Sequence, residues 1–225
     1  MLYSKQAVRD NIRNRDGKRV FYLGKGDQLT SDARDFLRSE RIDILPASEA
    51  KPERFRLLNG GFMEAKPEHM THLNGEVLVE KTHPRILFRG KVDTLEAELL
   101  LCCANAQGNI RSQLQEALSY TRNLLRYEVL DEPVKEMPLG GMDAAALRRR
   151  SHRPQEFYGQ PHFMPAPEDH LLLLQVNRAR CAARAAELAA VAAFPTGRED
   201  LLRAFNRLSS FLYLIMIQLK SAKSM

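Results

Sequence analysis

The sequence predicts a mainly α protein, an antiparallel helical bundle of about five helices with a small N-terminal α/β appendage. Three observations carry this. From about residue 86 a helical period runs nearly to the end, short polar stretches separate the periodic segments, and two short apolar runs flank one amphipathic segment before residue 46. The expected division is an appendage at 1–50, a connector at 51–80 and a bundle domain at 81–225.

The run RVFYL at 19–23 reads as a short strand. LTSDARDFLRSERI follows, with Thr30 placed to cap a helix by accepting an orphan backbone N–H. IDIL at 42–45 supplies a return strand. Residues 46–80 are rich in Pro, Gly, Lys and Glu and keep no sustained period, which reads as a connector, with Gly60 and Gly61 as a turn. Helices are then expected near 86–106, 108–130, 141–151, 168–194 and 198–221.

In the last helix Leu201, Phe205, Leu208, Leu212, Ile215 and Leu219 recur at spacings of four and three, a single core seam. Asn206, Ser210 and Tyr213 form a second, partly polar stripe that must face solvent, a neighbouring subunit or a ligand. The uninterrupted apolar part, Phe211 to Ile217, falls far short of the roughly 20 residues a membrane helix needs.

Composition excludes more than it identifies. The chain has 225 residues, of which 44% are apolar and 28% charged, which suits a folded soluble protein. Its formal charge of +6 fits a polyphosphate ligand as well as a nucleic acid, but tryptophan is absent and no aromatic and basic residues interleave, so no nucleic-acid partner is expected. The run Arg148-Arg149-Arg150 reads as a solvated helix end. Cys102, Cys103 and Cys181 form no C-x-x-C pair, which argues against a disulfide framework or a zinc ribbon. The N-terminal MLYSKQAVRDNIRNRDGK is polar and contains acids, unlike a signal or transit peptide, so a cytoplasmic protein is expected.

Arg180, Arg184 and Glu187 stand at i, i+4 and i+7 in a helix otherwise full of alanine and leucine. Two arginines on one helical face repel unless an anion or an acid meets them. Either the face is solvated and holds an Arg184–Glu187 pair, or it binds an anion. Lys81, Arg85 and Asp93 lie near the start of the first bundle helix. A buried Asp93 would need a cation, for which the arginines of the fourth helix are candidates.

Four stretches, in this order and spacing, resemble the corrinoid adenosyltransferases, and most closely their ethanolamine-utilisation branch. These are THLNGEVLVEKTHPRILFRGKVDTLEAEL, with Lys81, Arg85 and Asp93; SHRPQEFYGQPHFMPAPEDHLLLL, a loop ending in a proline turn; NRARCAARAAEL, with Arg180, Arg184 and Glu187; and FNRLSSFLYLIMI, with Asn206 and Arg207. The resemblance covers about residues 71–219. Ser210 stands where relatives of the propanediol branch have aspartate, and GKGDQLT at 24–30 matches that branch's phosphate loop only superficially, so no phosphate binding is assigned to it. The cysteine-rich metal motif of some ethanolamine-type members has no counterpart, and no structural metal is expected. His69, His72 and His83 are left as candidate ligands, but scattered histidines without acid or thiol partners read more readily as surface or capping residues.

The resemblance implies transfer of the 5′-deoxyadenosyl group of ATP to cob(I)alamin, giving adenosylcobalamin. Lys81, Arg85, Arg180, Arg184 and Asn206 would bind ATP with Mg2+, and Arg180 and Asp93 would be the catalytic pair, Asp93 holding Arg180. Glu187, Arg207 and Ser210 would support them. At the lower corrin face, counting back from Pro165 puts His162 where the propanediol-type enzymes have a blocking phenylalanine, with Phe163 one place on. Phe163 is favoured as the blocker, while a histidine could coordinate cobalt instead. A homotrimer, a reductase, and a bacterial microcompartment as partner and location complete the implied picture. The competing readings are a non-catalytic helical binder of nucleotide or corrinoid, and a microcompartment interaction protein.

Overall fold

The computed structural model describes residues 1–15, 17–50 and 55–222. It divides into two compact units, Met1–Arg54 and Phe55–Met225.

The first unit is built on short strands. β1 (Leu2–Tyr3) leads to helix α1 (Lys5–Asp10), whose first turn is capped by the Ser4 hydroxyl accepting the Ala7 N–H at 3.3 Å. β2 (Arg13–Arg15) and β3 (Lys18–Leu23) form a hairpin through Gly17, whose φ of +80° is one that L side chains avoid. β4 (Gln28–Leu29) pairs in parallel with β1. Helix α2 (Ser31–Ser39) begins at Thr30, whose hydroxyl accepts the Ala33 N–H at 3.3 Å, and β5 (Asp43–Pro46) returns parallel to β3. Val8, Phe21, Ala33, Leu37 and Ile42 make a small core of their own.

The connector expected at 51–80 gives way to structure. Residues 51–54 lie outside the described residues, but from Phe55 the chain forms a four-stranded sheet within the second unit: β6 (Phe55–Leu57), β7 (Phe62–Met63), β8 (Met70–Asn74) and β9 (Val77–Glu80), in the order β7-β6-β9-β8. Gly60 (φ +85°) and Gly75 (φ +49°) turn the two hairpins. The reason the pattern misled is local. The strands are two to five residues long, and Val77, Leu78 and Val79 are all buried, so β9 shows no alternation.

Six helices follow. α3 (Pro84–Asn105) starts with proline at its first position, where the missing N–H costs nothing, and His83 Nδ1 accepts the Arg85 N–H at 3.2 Å. α4 (Gly108–Val129) follows a two-residue link, and α5 (Ala144–His152) and the short α6 (Pro154–Tyr158) come next. α7 (Leu171–Ala193) starts later than the periodicity suggested, because His170 caps it after a proline-containing loop. α8 (Glu199–Ala222) closes the bundle.

α7 packs against both α3 and α8. On its inner side Ala179, Ala183, Ala186 and Ala190 are fully buried at spacings of four and three, which lets neighbouring helices approach closely. The seam on α8 is buried throughout, from Leu201 to Leu219. So are Phe211, Leu214, Met216 and Ile217, because α4, α5 and α7 all contact α8, making its second half more enclosed than a single stripe implied. Phe88 of α3 meets Phe205 edge to face at 5.6 Å, an arrangement that the ring quadrupoles favour. No helix among the described residues is long and apolar enough to cross a membrane.

Candidate active site

A cavity of about 470 Å3 opens beside α7 and α8. Arg180 and Arg184 of α7 line one wall, and Ser209, Ser210 and Tyr213 of α8 line another. Ser151 and His152 at the end of α5, with His162, Phe163 and Met164 of the loop before α7, complete it.

The arginine wall has no acid. Arg180 Nε and one terminal amino group reach only Asn177 Oδ1, at 3.1 and 3.0 Å, with Cys181 Sγ at 3.8 Å. Among the described residues Arg184 makes no hydrogen bond or ion pair and is exposed. The Arg184–Glu187 pair does not form. Glu187 Oε1 instead accepts from Asn206 Nδ2 at 3.0 Å, and Asn206 Oδ1 accepts from the Arg207 guanidinium, so these three side chains form one chain between α7 and α8. Burial, then Arg148, holds the Arg207 guanidinium below its ordinary pKa, and among the described residues its buried Nε has no partner. Ser210 donates its hydroxyl to the Asn206 carbonyl at 3.1 Å, as Ser209 does at 2.9 Å, which turns both back onto the helix.

The loop wall is tied to α8 at several points. Phe163 N–H donates to the Tyr213 hydroxyl oxygen at 3.3 Å, and the Lys220 ammonium lies 5.5 Å from the centre of the Phe163 ring. Lys220 also pairs with buried Asp169 at 2.6 Å, and Asp169 accepts the Ala166 N–H at 2.9 Å. Phe163 is half-buried against the core, whereas Met164 is exposed.

Six of the residues singled out from the sequence do not line the cavity: Glu187, Asn206 and Arg207 form the chain between α7 and α8, and three more lie elsewhere. Lys81 is exposed, with Glu68 at 4.0 Å. Asp93 is exposed on α3, so its expected pairing with Arg180 is not made within the chain. Arg85 is committed to Glu128: Nε to Oε1 is 2.6 Å, and a terminal amino group reaches the Glu128 carbonyl at 3.0 Å. Arg89 takes the other carboxylate oxygen at 2.7 Å and the Leu73 carbonyl at 2.8 Å. Sequence reasoning missed this triad because a glutamate near a helix end looks solvated; its fully buried position follows only from how α3, α4 and β8 meet. Burial and then Arg85 and Arg89 lower the pKa of His83 beside it.

Cysteine offers no chemistry in the core. Burial pushes the Cys102 thiol up to about 12, far from the thiolate that reacts or binds metal. Among the described residues no group of three or more His, Cys, Asp or Glu side chains is placed to hold a metal ion. His72 Nδ1 lies 3.0 Å from the Gly75 carbonyl and His83 caps α3.

A helical bundle with two acid-free arginines on one cavity wall belongs to the class of bundles that build a ligand site between facing helices. The chain is a member of the cobalamin adenosyltransferase family, whose sequence profile matches residues 62–219. It is 29% identical over 145 residues to the corrinoid adenosyltransferase EutT of Salmonella typhimurium, an alignment covering 62% of this chain and 54% of that protein. To EutT of Escherichia coli K12 it is 31% identical over 147 residues, covering 63% and 55%. The chain thus spans about half the length of the curated relatives it matches. Its fold resembles that of a variant PduO-type ATP:corrinoid adenosyltransferase from Lactobacillus reuteri, solved with cobalamin and ATP. The TM-score is 0.54 at 17% identity, over 69% of this chain and 91% of that one.

Proposed function

We propose that this chain is an ATP:corrinoid adenosyltransferase that moves the 5′-deoxyadenosyl group of ATP onto cob(I)alamin, giving adenosylcobalamin. The observation that carries the reading is the wall formed by Arg180 and Arg184, two guanidinium groups one turn apart with no acid to neutralise them. Such a pair is matched to phosphate oxygens, which accept bidentate hydrogen bonds from guanidinium.

In the reaction cobalt(I) supplies an electron pair to the 5′ carbon of ATP, a cobalt–carbon bond forms, and the carbon–oxygen bond to the triphosphate breaks with its electrons leaving on oxygen. Arg180 and Arg184 hold the triphosphate in line and stabilise the charge that grows on it, with Mg2+ as counter-ion. Asn206 contacts the nucleotide, and its bond to Glu187 orients its amide. Arg207 and Ser210 support Asn206. On the lower face Phe163, with His162 beside it, keeps water and ligands from cobalt, which favours reduction of cobalt(II) by an external reductase because axial ligation tunes the potential.

The assembly is a homotrimer with each site shared between subunits. Two features support this. Leu87, Leu100 and Leu101 on α3 and Leu188 and Val191 on α7 leave large apolar side chains about half exposed or more, the kind of patch that marks a subunit contact. Asp93 is also exposed and, among the described residues, makes no hydrogen bond or ion pair; in the trimer it pairs with Arg180 of the next subunit, while the exposed Lys81 approaches the triphosphate from that same side and Arg85 stays with Glu128. The resemblance to the ethanolamine-utilisation branch supports work in the cytoplasm, within a bacterial microcompartment.

The test is adenosylation of cob(I)alamin by the wild type and by Arg180→Ala, with ATP and a chemical reductant. Product from the wild type and its loss in the folded variant support the enzyme. A folded wild type that yields no product sinks it in favour of a non-catalytic binder.

A further inference from the structure

The loop that lines the cavity carries a hydrogen-bond relay whose direction can be worked out. His162 Nε2 lies 3.3 Å from the His152 carbonyl oxygen, which can only accept, so Nε2 bears the proton. In the neutral ring Nδ1 is then an acceptor, and the Tyr213 hydroxyl, 3.1 Å away, donates to it. The same hydroxyl oxygen accepts the Phe163 N–H at 3.3 Å. The Tyr213 ring stacks on both neighbours, with centroids 5.8 Å from His162 and 5.9 Å from Phe163. The His152 carbonyl thus fixes the tautomer of His162, and one phenol occupies the remaining ring nitrogen and anchors the next residue's backbone.

An imidazole coordinates a metal through a nitrogen lone pair. In this arrangement the one lone pair His162 has, on Nδ1, is held by Tyr213. We propose that Tyr213 is a positioning residue for the lower corrin face: its hydroxyl keeps His162 from becoming an axial ligand, so that the loop offers Phe163 in its place. This rests on the corrinoid reading above and settles which of the two adjacent side chains the reaction uses. The chain needs such a device because it places a histidine, a good metal ligand, next to the blocking ring. Tyrosine fits the part because the ring packs on the loop while the hydroxyl both donates and accepts.

The experiment uses cob(II)inamide, a corrinoid without the nucleotide base, so that any axial nitrogen comes from the protein. Electron paramagnetic resonance spectra are recorded with ATP for the wild type, Tyr213→Phe, and Tyr213→Phe combined with His162→Ala. Phenylalanine keeps the stacked ring and removes only the hydroxyl. The wild type is expected to shift the cobalt spectrum without nitrogen splitting. Tyr213→Phe is expected to show nitrogen splitting that disappears in the double variant, and to lose about tenfold or more in kcat while the corrinoid KM changes by about twofold or less. Nitrogen splitting in the wild type that His162→Ala abolishes overturns the inference. So does a Tyr213→Phe protein that loses activity with no nitrogen signal, or one that matches the wild type in both readouts. A wild type that neither alters the spectrum nor makes adenosylated product removes the corrinoid reading itself, and the inference with it.

Discussion

Arg89 Nε and Glu128 Oε2 meet at 2.7 Å, and the glutamate side chain has no exposure to solvent at all. With Arg85 on the other oxygen and the Leu73 carbonyl on the Arg89 fork, this one acid joins α3, α4 and β8.

Glu128→Gln keeps the side chain's shape and removes its charge, leaving two guanidinium groups, each with only 17% of the side chain exposed, to share a neutral amide. Breaking a buried pair from one side costs about 3 kcal/mol. Urea unfolding of the variant is expected to show a loss of that size; a loss below about 1 kcal/mol would contradict the role given to Glu128.

Acid should loosen the start of α3. Burial, with Arg85 and Arg89, holds the pKa of His83 below its ordinary 6.5, so the folded state binds the proton less readily than the unfolded chain. A depressed folded pKa gives stability that is full above 6.5 and is lost as pH falls towards the folded value. Protonated Nδ1 also cannot accept the Arg85 N–H, so the helix loses its cap. His83→Asn supplies a cap that does not titrate, and its melting temperature should change less than that of the wild type between pH 7 and pH 5. Equal slopes would rule the mechanism out.

Gly140 has φ of +58°, and a Cβ there would sit 2.7 Å from Cε2 of Phe211. That ring is 1% exposed and cannot swing away. Gly140→Ala is therefore expected to cost about 2 kcal/mol through backbone strain and overpacking together. Calorimetry decides it, and an unchanged melting temperature would show that the turn before α5 relaxes freely.

Removing either cavity arginine should separate function from stability. Since Arg184 makes no ion pair and Arg180 bonds only to its neighbours on α7, Arg184→Ala is expected to leave the melting temperature of the ligand-free protein unchanged or slightly raised, while kcat/KM for ATP falls about a hundredfold. Arg184→Lys should recover little of it, because an ammonium cannot make the bidentate contact. Full activity in the lysine variant would mean that only charge matters there.

The proposed Asp93–Arg180 contact between subunits is open to a charge-reversal cycle. If the proposed trimer holds, Asp93→Arg and Arg180→Asp alone should each weaken it, and the two together should restore part of it, as read by sedimentation. Purely additive losses would refute the pairing.

Much of the bundle was legible because burial obeys the helical period. The seam from Leu201 to Leu219 sits in the core, and Thr30 caps its helix as its residue type demands. Short elements were not legible, since β6 and β7 span three and two residues and β9 is covered on both faces. At the site, periodicity grouped Ser210 and Tyr213 on α8, with Asn206 beside the cavity rather than in its lining, and put Arg180 and Arg184 on one face. It could not show that Glu187 turns to Asn206 and Arg85 to Glu128, because partner choice depends on how helices distant in sequence meet. Tyr213 carried a signal, its place on the polar stripe, but its bonds to His162 and Phe163 depend on a loop about 50 residues away in sequence.

The buried alanines of α7 act on a face about a quarter to a third of a turn round the helix from the arginines. Arg180 and Arg184 are carried on the same rigid rod as Ala179, Ala183, Ala186 and Ala190, so the depth to which that rod seats decides how far the arginines reach. A methyl is the smallest side chain that still favours a helix, and it sets a minimum standoff. Enlarging one of these residues, as in Ala183→Val, would lift the rod and misplace the guanidinium groups without touching them. The bore of the cavity is thus gauged from the side, by buried residues that do not line it.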